Sequence, residues 1–333
     1  MIEAVHEDLV QTGALAPVQL GSVEERRWLD CDLASLAENR LGDLTDPRDI
    51  EQARRADWQA RATEERPWPL RARNEYERCY WILEDGEHAG TIALATSSLG
   101  SKSLRVASLY VLPTYRGRGV GRRVLGRVED ALRRQDLGLR LETSWCWQRS
   151  ARFYLASGMW IYMWKRDLTF CWDPRTPDPQ IEVGDETATL SVPRGDGRVV
   201  LARAHRRGDA LELEDTERDL ANQDDLGQAC WHATSTLSLA LALHGWPLIR
   251  SQEQWERCHS ADAGAPESLA YKITIWEAWA AKHGWAFQTP RIPGLPYPSW
   301  DELEARWDAE LKEMNVVVAS EGPPGGERAG GRA

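Results

Sequence analysis

The chain has 333 residues, of which 42% are hydrophobic and 28% are charged, and its formal net charge is −11. This length favours two domains, and this composition is ordinary for a globular protein. No apolar run approaches the ~18 residues of a membrane span, and the first residues show no signal-peptide pattern, which predicts a cytoplasmic protein that does not bind membranes. Six scattered cysteines without CxxC spacing predict neither a metal site nor a disulfide framework.

The charge is distributed unevenly along the chain. Residues 178–333 contain 26 acidic and 15 basic residues, whereas residues 1–177 contain 26 of each. Within that balanced part, residues 102–140 hold ten basic residues against three acidic ones. A local basic surface on an acidic protein suits one anionic cofactor better than a nucleic-acid backbone. The charge pattern therefore predicts an anionic small molecule as a partner and no nucleic acid.

The first 69 residues carry a weak pattern that we interpret as mainly helical. Residues 23–41 indicate a short strand and then a helix capped by Asp32, and Thr-Asp-Pro at residues 45–47 is typical of the start of another helix. Two alternating segments joined across Asp-Gly come next and predict a hairpin, with strands at residues 79–83 and 89–94.

The strongest pattern lies at residues 104–132. Residues 104–111 alternate and are rich in β-branched and aromatic residues, which predicts a strand, and apolar residues then recur every four positions from residue 120, which predicts a helix. A strand that enters a helix through a glycine-rich turn presents backbone N–H groups where the helix dipole favours an anion. Glycines lack the Cβ atoms that would keep a phosphate away. The predicted diphosphate contacts are Arg116, Gly117, Arg118, Gly119, Val120, Gly121 and Arg122.

The remaining elements alternate first and then become mostly helical. A strand at 139–144, a helix at 149–156 and a last strand at 160–169 complete the first domain. Three prolines within residues 173–179 indicate a linker. The segments 187–192, 199–204 and 210–213 predict a small antiparallel meander, and helices are predicted at 231–244, 252–258, 266–283 and 300–313.

Two motifs in this order resemble those of a known family. Arg116-x-x-Gly119-x-Gly121 resembles the acyl-CoA signature of the GNAT acetyltransferases, and residues 148–159 resemble the second motif of that family, with Gln148 where Asn is common. The resemblance covers residues 70–172 and implies an α/β fold with a mixed sheet. The domain boundaries predicted on this basis are 1–69 for an N-terminal helical part, 70–172 for the core, 173–185 for a linker, 186–319 for a smaller, mainly helical α+β domain and 320–333 for a disordered tail.

The resemblance also implies a reaction, which is transfer of the acetyl group of acetyl-CoA to a primary amine of a small molecule or a protein, without a metal. The N–H of Val111 is expected to hold the thioester oxygen, Gln148 to contact the cofactor and Tyr154 to protonate the leaving thiolate. Glu142 is the preferred candidate for the base that deprotonates the amine, with Glu84 and a chain of water molecules as alternatives. The acceptor is not identified, and a homodimer stays open.

Two other functions remain open at this point. The core could sense acyl-CoA while the C-terminal domain binds a partner, and only turnover would separate this reading from catalysis. In the second alternative, Cys230 near the start of a predicted helix faintly resembles the nucleophile of papain-like peptidases. A peptidase needs a histidine on a later strand, and the downstream histidines, His244, His259 and His283, do not begin strands. A buried thiol is the simpler interpretation of Cys230.

Overall fold

The structure is a computed structural model. It describes residues 2–32, 78–96, 102–144, 148–164, 167–215, 227–249 and 266–309, apart from residues 12, 14, 20, 21, 26, 29, 292, 304, 307 and 308. The helix predicted to begin at residues 45–47, the helix predicted at 252–258 and the predicted tail from residue 320 lie outside the described residues.

Seven strands form a mixed sheet, which confirms the predicted fold class. Their order across the sheet is β1-β2-β3-β4-β5-β7-β6. Only β4 and β5 are parallel, and every other neighbouring pair is antiparallel. The strands are β1 (Leu15–Pro17), β2 (Arg78–Glu84), β3 (Glu87–Thr96), β4 (Ser103–Val111), β5 (Gly138–Ser144), β6 (Trp160–Trp164) and β7 (Asp167–Trp172).

The prediction of one last strand at residues 160–169 is wrong. The chain forms two antiparallel strands there, and β7 lies between β5 and β6 in the sheet. Only three charged residues, at positions 165–167, separate the apolar and aromatic residues of the two strands, and they include no glycine or proline that would mark a turn, so the sequence does not reveal that the chain reverses.

Among the described residues of the first part of the chain, the helices α1 (Ile2–Gln11), α2 (Val120–Arg134) and α3 (Gln148–Ala156) accompany the sheet. Side chains of β2 alternate between two core clusters, because successive side chains of a strand point to opposite faces. Tyr80 and Ile82 belong to the cluster that contains Val124 of α2, which we name the first core. Trp81 belongs to a smaller cluster with Trp28.

The residues 23–32 that carry Trp28 are helical where they are described, and we name them the 23–32 segment. The amide of Glu25 donates to Ser22 Oγ at 3.2 Å, which is the hydrogen bond of a helix N-cap. Trp28 Nε1 donates to the carbonyl of Tyr80 at 2.8 Å and fixes the segment on β2. The predicted strand at residue 23 is therefore wrong, and Asp32 lies within the helical segment, 1% exposed, rather than at a helix start.

A second, four-stranded antiparallel sheet follows, in the order β11-β10-β9-β8. Its strands are β8 (Gln180–Val183), β9 (Thr187–Arg194), β10 (Gly197–Arg207) and β11 (Ala210–Asp215). The last three lie where the meander was predicted, whereas β8 lies inside the predicted linker 173–185. The preceding segment is also held in place, because Trp160 Nε1 donates to the carbonyl of Pro177 at 3.2 Å and Trp172 Nε1 donates to Asp178 Oδ1 at 3.1 Å.

The C-terminal part adds α4 (Gly227–Leu243), α5 (Pro266–His283) and a short parallel pair, β12 (Leu248–Ile249) and β13 (Phe287–Gln288). Helix α4 joins the two sheets. Its Leu239 and Leu243 belong to the first core, while its Leu237 and Leu241 pack with Leu190 of β9 in a second core. The C-terminal helices thus share apolar packing with the first sheet.

One buried carboxyl group, that of Glu129 on α2, should make the free energy of unfolding depend on pH. Burial and the nearby Asp178 raise the pKa of Glu129, on α2, from 4.5 to about 8. Its atom Oε1 is buried and accepts no hydrogen bond from the described residues. Glu129 is therefore protonated in the folded chain and charged in the unfolded chain between these two values, so the free energy of unfolding should fall as the pH rises from 4.5 towards 8.

We expect Glu129→Gln to remove this dependence, because a neutral amide has no charge to bury. The variant should be more stable than the wild type by about 1–2 kcal/mol near pH 8.5 and by little near pH 5. Denaturant unfolding at both pH values measures the difference. The exposed Asp196→Asn serves as the control and should show the same small effect at both. If Glu129→Gln raised the free energy of unfolding equally at both pH values, the raised pKa assigned to Glu129 would be contradicted.

Candidate active site

A gap opens between the two parallel strands of the first sheet. Strands β4 and β5 pair over four residues only, ending at Val106 opposite Leu141. Both strands continue, and each keeps its other neighbour: β4 stays paired with β3 as far as Val111, and β5 with β7 as far as Ser144. In the part of the chain that the structure describes, no strand lies between the edges of β4 and β5 that face each other beyond residues 106 and 141.

The backbone of Val111 faces this gap. The N–H of Leu112 donates to the carbonyl of Ala89 on the β3 side at 2.9 Å. Since successive residues of a strand direct their N–H groups to opposite sides, the N–H of Val111 points away from β3 and into the gap. The strands β3 and β4 approach closely here, because a Cβ atom on Gly90 would lie 2.0 Å from the carbonyl oxygen of Tyr110.

The turn after β4 leads directly into α2. A 3-10 helix at Pro113–Tyr115 is followed by Gly117 and Gly119, both at φ +75°, a conformation that favours glycine. Gly117, Arg118 and Gly119 are exposed. Gly119 is the N-cap of α2 without a side-chain cap, and the first turn of α2 has no acidic side chain. The first N–H groups of the helix, which have no partner within it, are thus presented next to an exposed, cationic turn.

One arginine of the turn, Arg116, and one of α2, Arg123, also shape the turn. Arg116 Nε donates to the carbonyl of Val111 at 2.8 Å, and its guanidinium lies 5.3 Å from the ring centre of Tyr110. Arg123 donates to the carbonyl of Arg118 at 2.8 Å and forms an ion pair with Glu84 at 2.5 Å. The carboxylate of Glu84, the alternative base, is therefore engaged by Arg123.

Helix α3 packs tightly on the first turn of α2. A Cβ atom on Gly121 would lie 3.2 Å from Cζ of Phe153. The next residue, Tyr154, is 8% exposed, and its ring lies 5.1 Å from that of Phe153 and 5.3 Å from that of Phe170. Burial raises the pKa of Tyr154, so its phenol stays protonated at neutral pH. The protonated phenol is available as a proton donor, and the raised pKa makes it a weaker acid than an exposed tyrosine.

Glu142 lies at the start of the gap, one position beyond the last residue of β5 that pairs with β4. Its side chain is exposed, whereas its neighbours Leu141 and Thr143 are buried. The structure thus places the preferred base next to the gap, with access to solvent.

Gln148, the first residue of α3, contacts the C-terminal part of the chain. Its amide nitrogen lies 3.1 Å from Nδ1 of His283, the last residue of α5. The ring of His283 in turn stacks on Trp285 at 4.8 Å. Sequence reasoning expected a cofactor contact at Gln148 and considered His283 only as a partner for Cys230, because 135 positions separate Gln148 from His283 and no local pattern connects them.

A further group of side chains joins α4 to the sheet. The guanidinium of Arg140, on β5, lies 4.1 Å from the ring centre of Tyr162, on β6, and the ring of Tyr162 lies 5.6 Å from that of His232, on α4. Burial, followed by the charge of Arg140, lowers the pKa of His232 to about 4, so this histidine is neutral at neutral pH. Sequence reasoning did not single out these three residues.

The remaining predictions concern Cys230, metal ions and membranes. Cys230 lies in the first turn of α4, but its side chain lies outside the described residues, as does His259. Within the described part of the chain, no group of three His, Cys, Asp or Glu side chains is arranged to hold a metal ion. In the same residues, no helix combines the length and the apolar character needed to cross a membrane.

Comparison with solved structures finds acetyltransferases. An acetyltransferase of the GNAT family from Staphylococcus aureus Mu50 is 13% identical, and the match covers 48% of this chain and 99% of that one with a TM-score of 0.35. The PaiA N-acetyltransferase from Thermoplasma acidophilum, solved with coenzyme A, is 16% identical over 46% and 96% of the two chains with a TM-score of 0.34. Nourseothricin acetyltransferase is 22% identical over 29% of this chain with a TM-score of 0.27, and the match spans 64% of its length.

The strand pairing and the turn described above define the class of fold: it is a mixed sheet in which two parallel strands separate beside the glycine-rich start of a helix. In a comparison of the sequence with protein-family models, residues 47–159 match the model described as the acetyltransferase (GNAT) family. A search of curated proteins gives no match.

Proposed function

We propose that this protein is an N-acetyltransferase that transfers the acetyl group of acetyl-CoA to a primary amine. The observation that carries the proposal is the gap between β4 and β5, which adjoins an exposed glycine turn at the N-terminus of α2. The turn fits a diphosphate, because it offers main-chain N–H groups and arginines without a competing carboxylate in the first helical turn. The residues proposed to hold the diphosphate are Arg116, Gly117, Arg118, Gly119, Val120, Gly121 and Arg122.

Bound acetyl-CoA would supply an acetyl group activated as a thioester. The N–H of Val111 is the proposed donor to the thioester oxygen, where negative charge develops as the amine attacks. Tyr154, kept protonated by burial, is the proposed donor of a proton to the departing sulfur. The attacking nitrogen must be neutral, and Glu142 is the proposed acceptor of its proton. In the balanced reaction a C–N bond forms, the C–S bond breaks, and one proton passes from nitrogen to sulfur.

The C-terminal part is proposed to complete the walls of this site. The contact of His283 with Gln148 brings α5 to the start of α3, whose Phe153 packs on the first turn of α2. The contact of His232 with Tyr162 brings α4 to the outer strand of the sheet. We propose that residues 186–319 restrict which amines reach the gap, and the proposed acceptors are amines of small molecules and of proteins.

The proposal is tested by turnover. Purified protein with acetyl-CoA should release free thiol when a suitable amine is added, and mass spectrometry should show that the amine gains one acetyl group. A panel of polyamines, amine-bearing antibiotics, peptides with free N-termini and lysine peptides covers the proposed acceptors. If acetyl-CoA raises the melting temperature but no amine in the panel causes thiol release, the chain is better described as an acyl-CoA sensor.

A further inference from the structure

The buried carboxylate of Asp32 contacts the strand that borders the gap. Asp32 belongs to the 23–32 segment and is 1% exposed. Its atom Oδ1 accepts hydrogen bonds from Thr91 Oγ1 on β3, at 3.2 Å, and from Ser108 Oγ on β4. Hydroxyl groups that donate to a buried carboxylate make stronger bonds than neutral pairs do, so this contact can hold a strand in position.

Ser108 lies where β4 becomes irregular. Ala93 of β3 is opposite Ser108, but the next residue of β3, Leu94, is opposite Val106, so Ala107 has no partner of its own. An extra residue of this kind is a β-bulge, which bends a strand and often ends its pairing. The pairing of β4 with β5 ends at Val106, directly before the bulge.

We propose that Asp32, acting through the hydroxyl of Ser108, is a positioning residue that holds the end of β4 away from β5 and keeps the gap open. This inference rests on the proposed function, because it takes the gap to be the acetyl-CoA site. The bulge, the last β4–β5 pair and the carboxylate contact fall within three consecutive residues of β4, from Val106 to Ser108. Trp28 fixes the 23–32 segment on β2, and this contact holds Asp32 in position relative to the sheet.

If β4 and β5 paired along their whole length, the gap would close. The end of β4 therefore needs a contact that holds it apart from β5. Among the described strands, β4 is paired with β3 alone from Ala107 onward, and its other edge faces β5, which could extend its pairing along that edge. Continued in the register of the four existing pairs, β5 would reach Leu109 with its last residue, Ser144, and would close the gap beside the N–H of Val111 that the proposed reaction needs. The hydrogen bond from Ser108 to the carboxylate of Asp32, which lies outside the sheet, favours the arrangement in which β4 and β5 are separated.

Two single substitutions distinguish positioning from simple stabilisation. Ser108→Ala removes the bond on β4, and Thr91→Val removes the bond to the same oxygen on β3, which stays paired on both sides with β2 and β4. We expect Ser108→Ala to raise the Kd of acetyl-CoA about tenfold and Thr91→Val to leave it within about twofold, since only β4 borders the gap. Both variants should lower the melting temperature. Asp32→Asn, whose amide oxygen can still accept both hydroxyls, should restore most of the affinity that Asp32→Ala loses.

Calorimetric titration with acetyl-CoA, paired with thermal unfolding of each variant, gives both quantities. If Ser108→Ala and Thr91→Val unfold at lower temperatures but bind acetyl-CoA equally well, the contact is structural and the inference fails while the proposed function stands. A wild-type chain that binds no acetyl-CoA would overturn both. An Asp32→Asn variant that binds as weakly as Asp32→Ala would show that the charge, rather than the hydrogen bond, is what acts.

Discussion

Replacing Gly119 by glutamate is expected to weaken acetyl-CoA binding by about 100-fold or more, because it places a carboxylate at the helix N-terminus that the diphosphate would occupy. Gly119 adopts φ +75°, so any other residue is also strained there, by about 1–2 kcal/mol. The space itself is adequate: a Cβ atom would meet only the flexible end of Arg123, at 3.3 Å. The fold should therefore survive, with a modest fall in melting temperature.

Gly195→Glu is the matched control for this substitution. Gly195 has φ +56° in the turn between β9 and β10, and a Cβ atom there would meet no atom within 4 Å. The control introduces the same side chain and a similar backbone strain in the second sheet. It should lose stability like Gly119→Glu and bind acetyl-CoA like the wild type. Equal affinities for both variants would count against a diphosphate at the turn.

Replacing Tyr154 by phenylalanine is expected to lower kcat about 100-fold while leaving the Kd of acetyl-CoA within about twofold, since a positioned general acid typically contributes this much. The ring, which packs between Phe153 and Phe170, is retained, so the fold should not change. Because burial raises the pKa of Tyr154 above its ordinary value of 10.0, ionisation of this phenol should not limit the wild-type rate below that pH.

Steady-state rates with the best amine from the panel, together with cofactor titration, measure both effects. Tyr297→Phe removes a hydroxyl from the C-terminal part and is the control, expected to retain the wild-type kcat. If Tyr154→Phe turns over as fast as the wild type, Tyr154 is a core aromatic residue and the proton reaches the thiolate by another route.

The part of the fold that local pattern determines was predictable. The alternation of β4, the four-residue period of α2 and the glycines between them are all local, and the turn lies at the predicted residues, 112–119. The hairpin β6–β7 was missed because the three charged residues between its strands, at positions 165–167, include no glycine or proline that would mark a turn. β8 was missed because its four residues are only partly buried and follow a proline-rich segment.

The contacts that surround the gap could not be predicted, because residues distant in sequence form them. Asp32 and Ser108 are 76 positions apart, and Gln148 and His283 are 135 apart. Asp32 was interpreted as a helix cap, since aspartate before a helical pattern usually has that role. Only the folded arrangement shows that its carboxylate lies against β3 and β4.

The central claim is that main-chain amides of the turn after β4 bind the diphosphate of acetyl-CoA. Glycine-selective 15N labelling tests it directly, since Gly117, Gly119 and Gly121 report on the turn while Gly195 and Gly208 report on the second sheet. Titration with acetyl-CoA should shift the amide resonances of the three turn glycines strongly and leave the other two unchanged. Turn resonances that stay in place while acetyl-CoA binds would contradict the account.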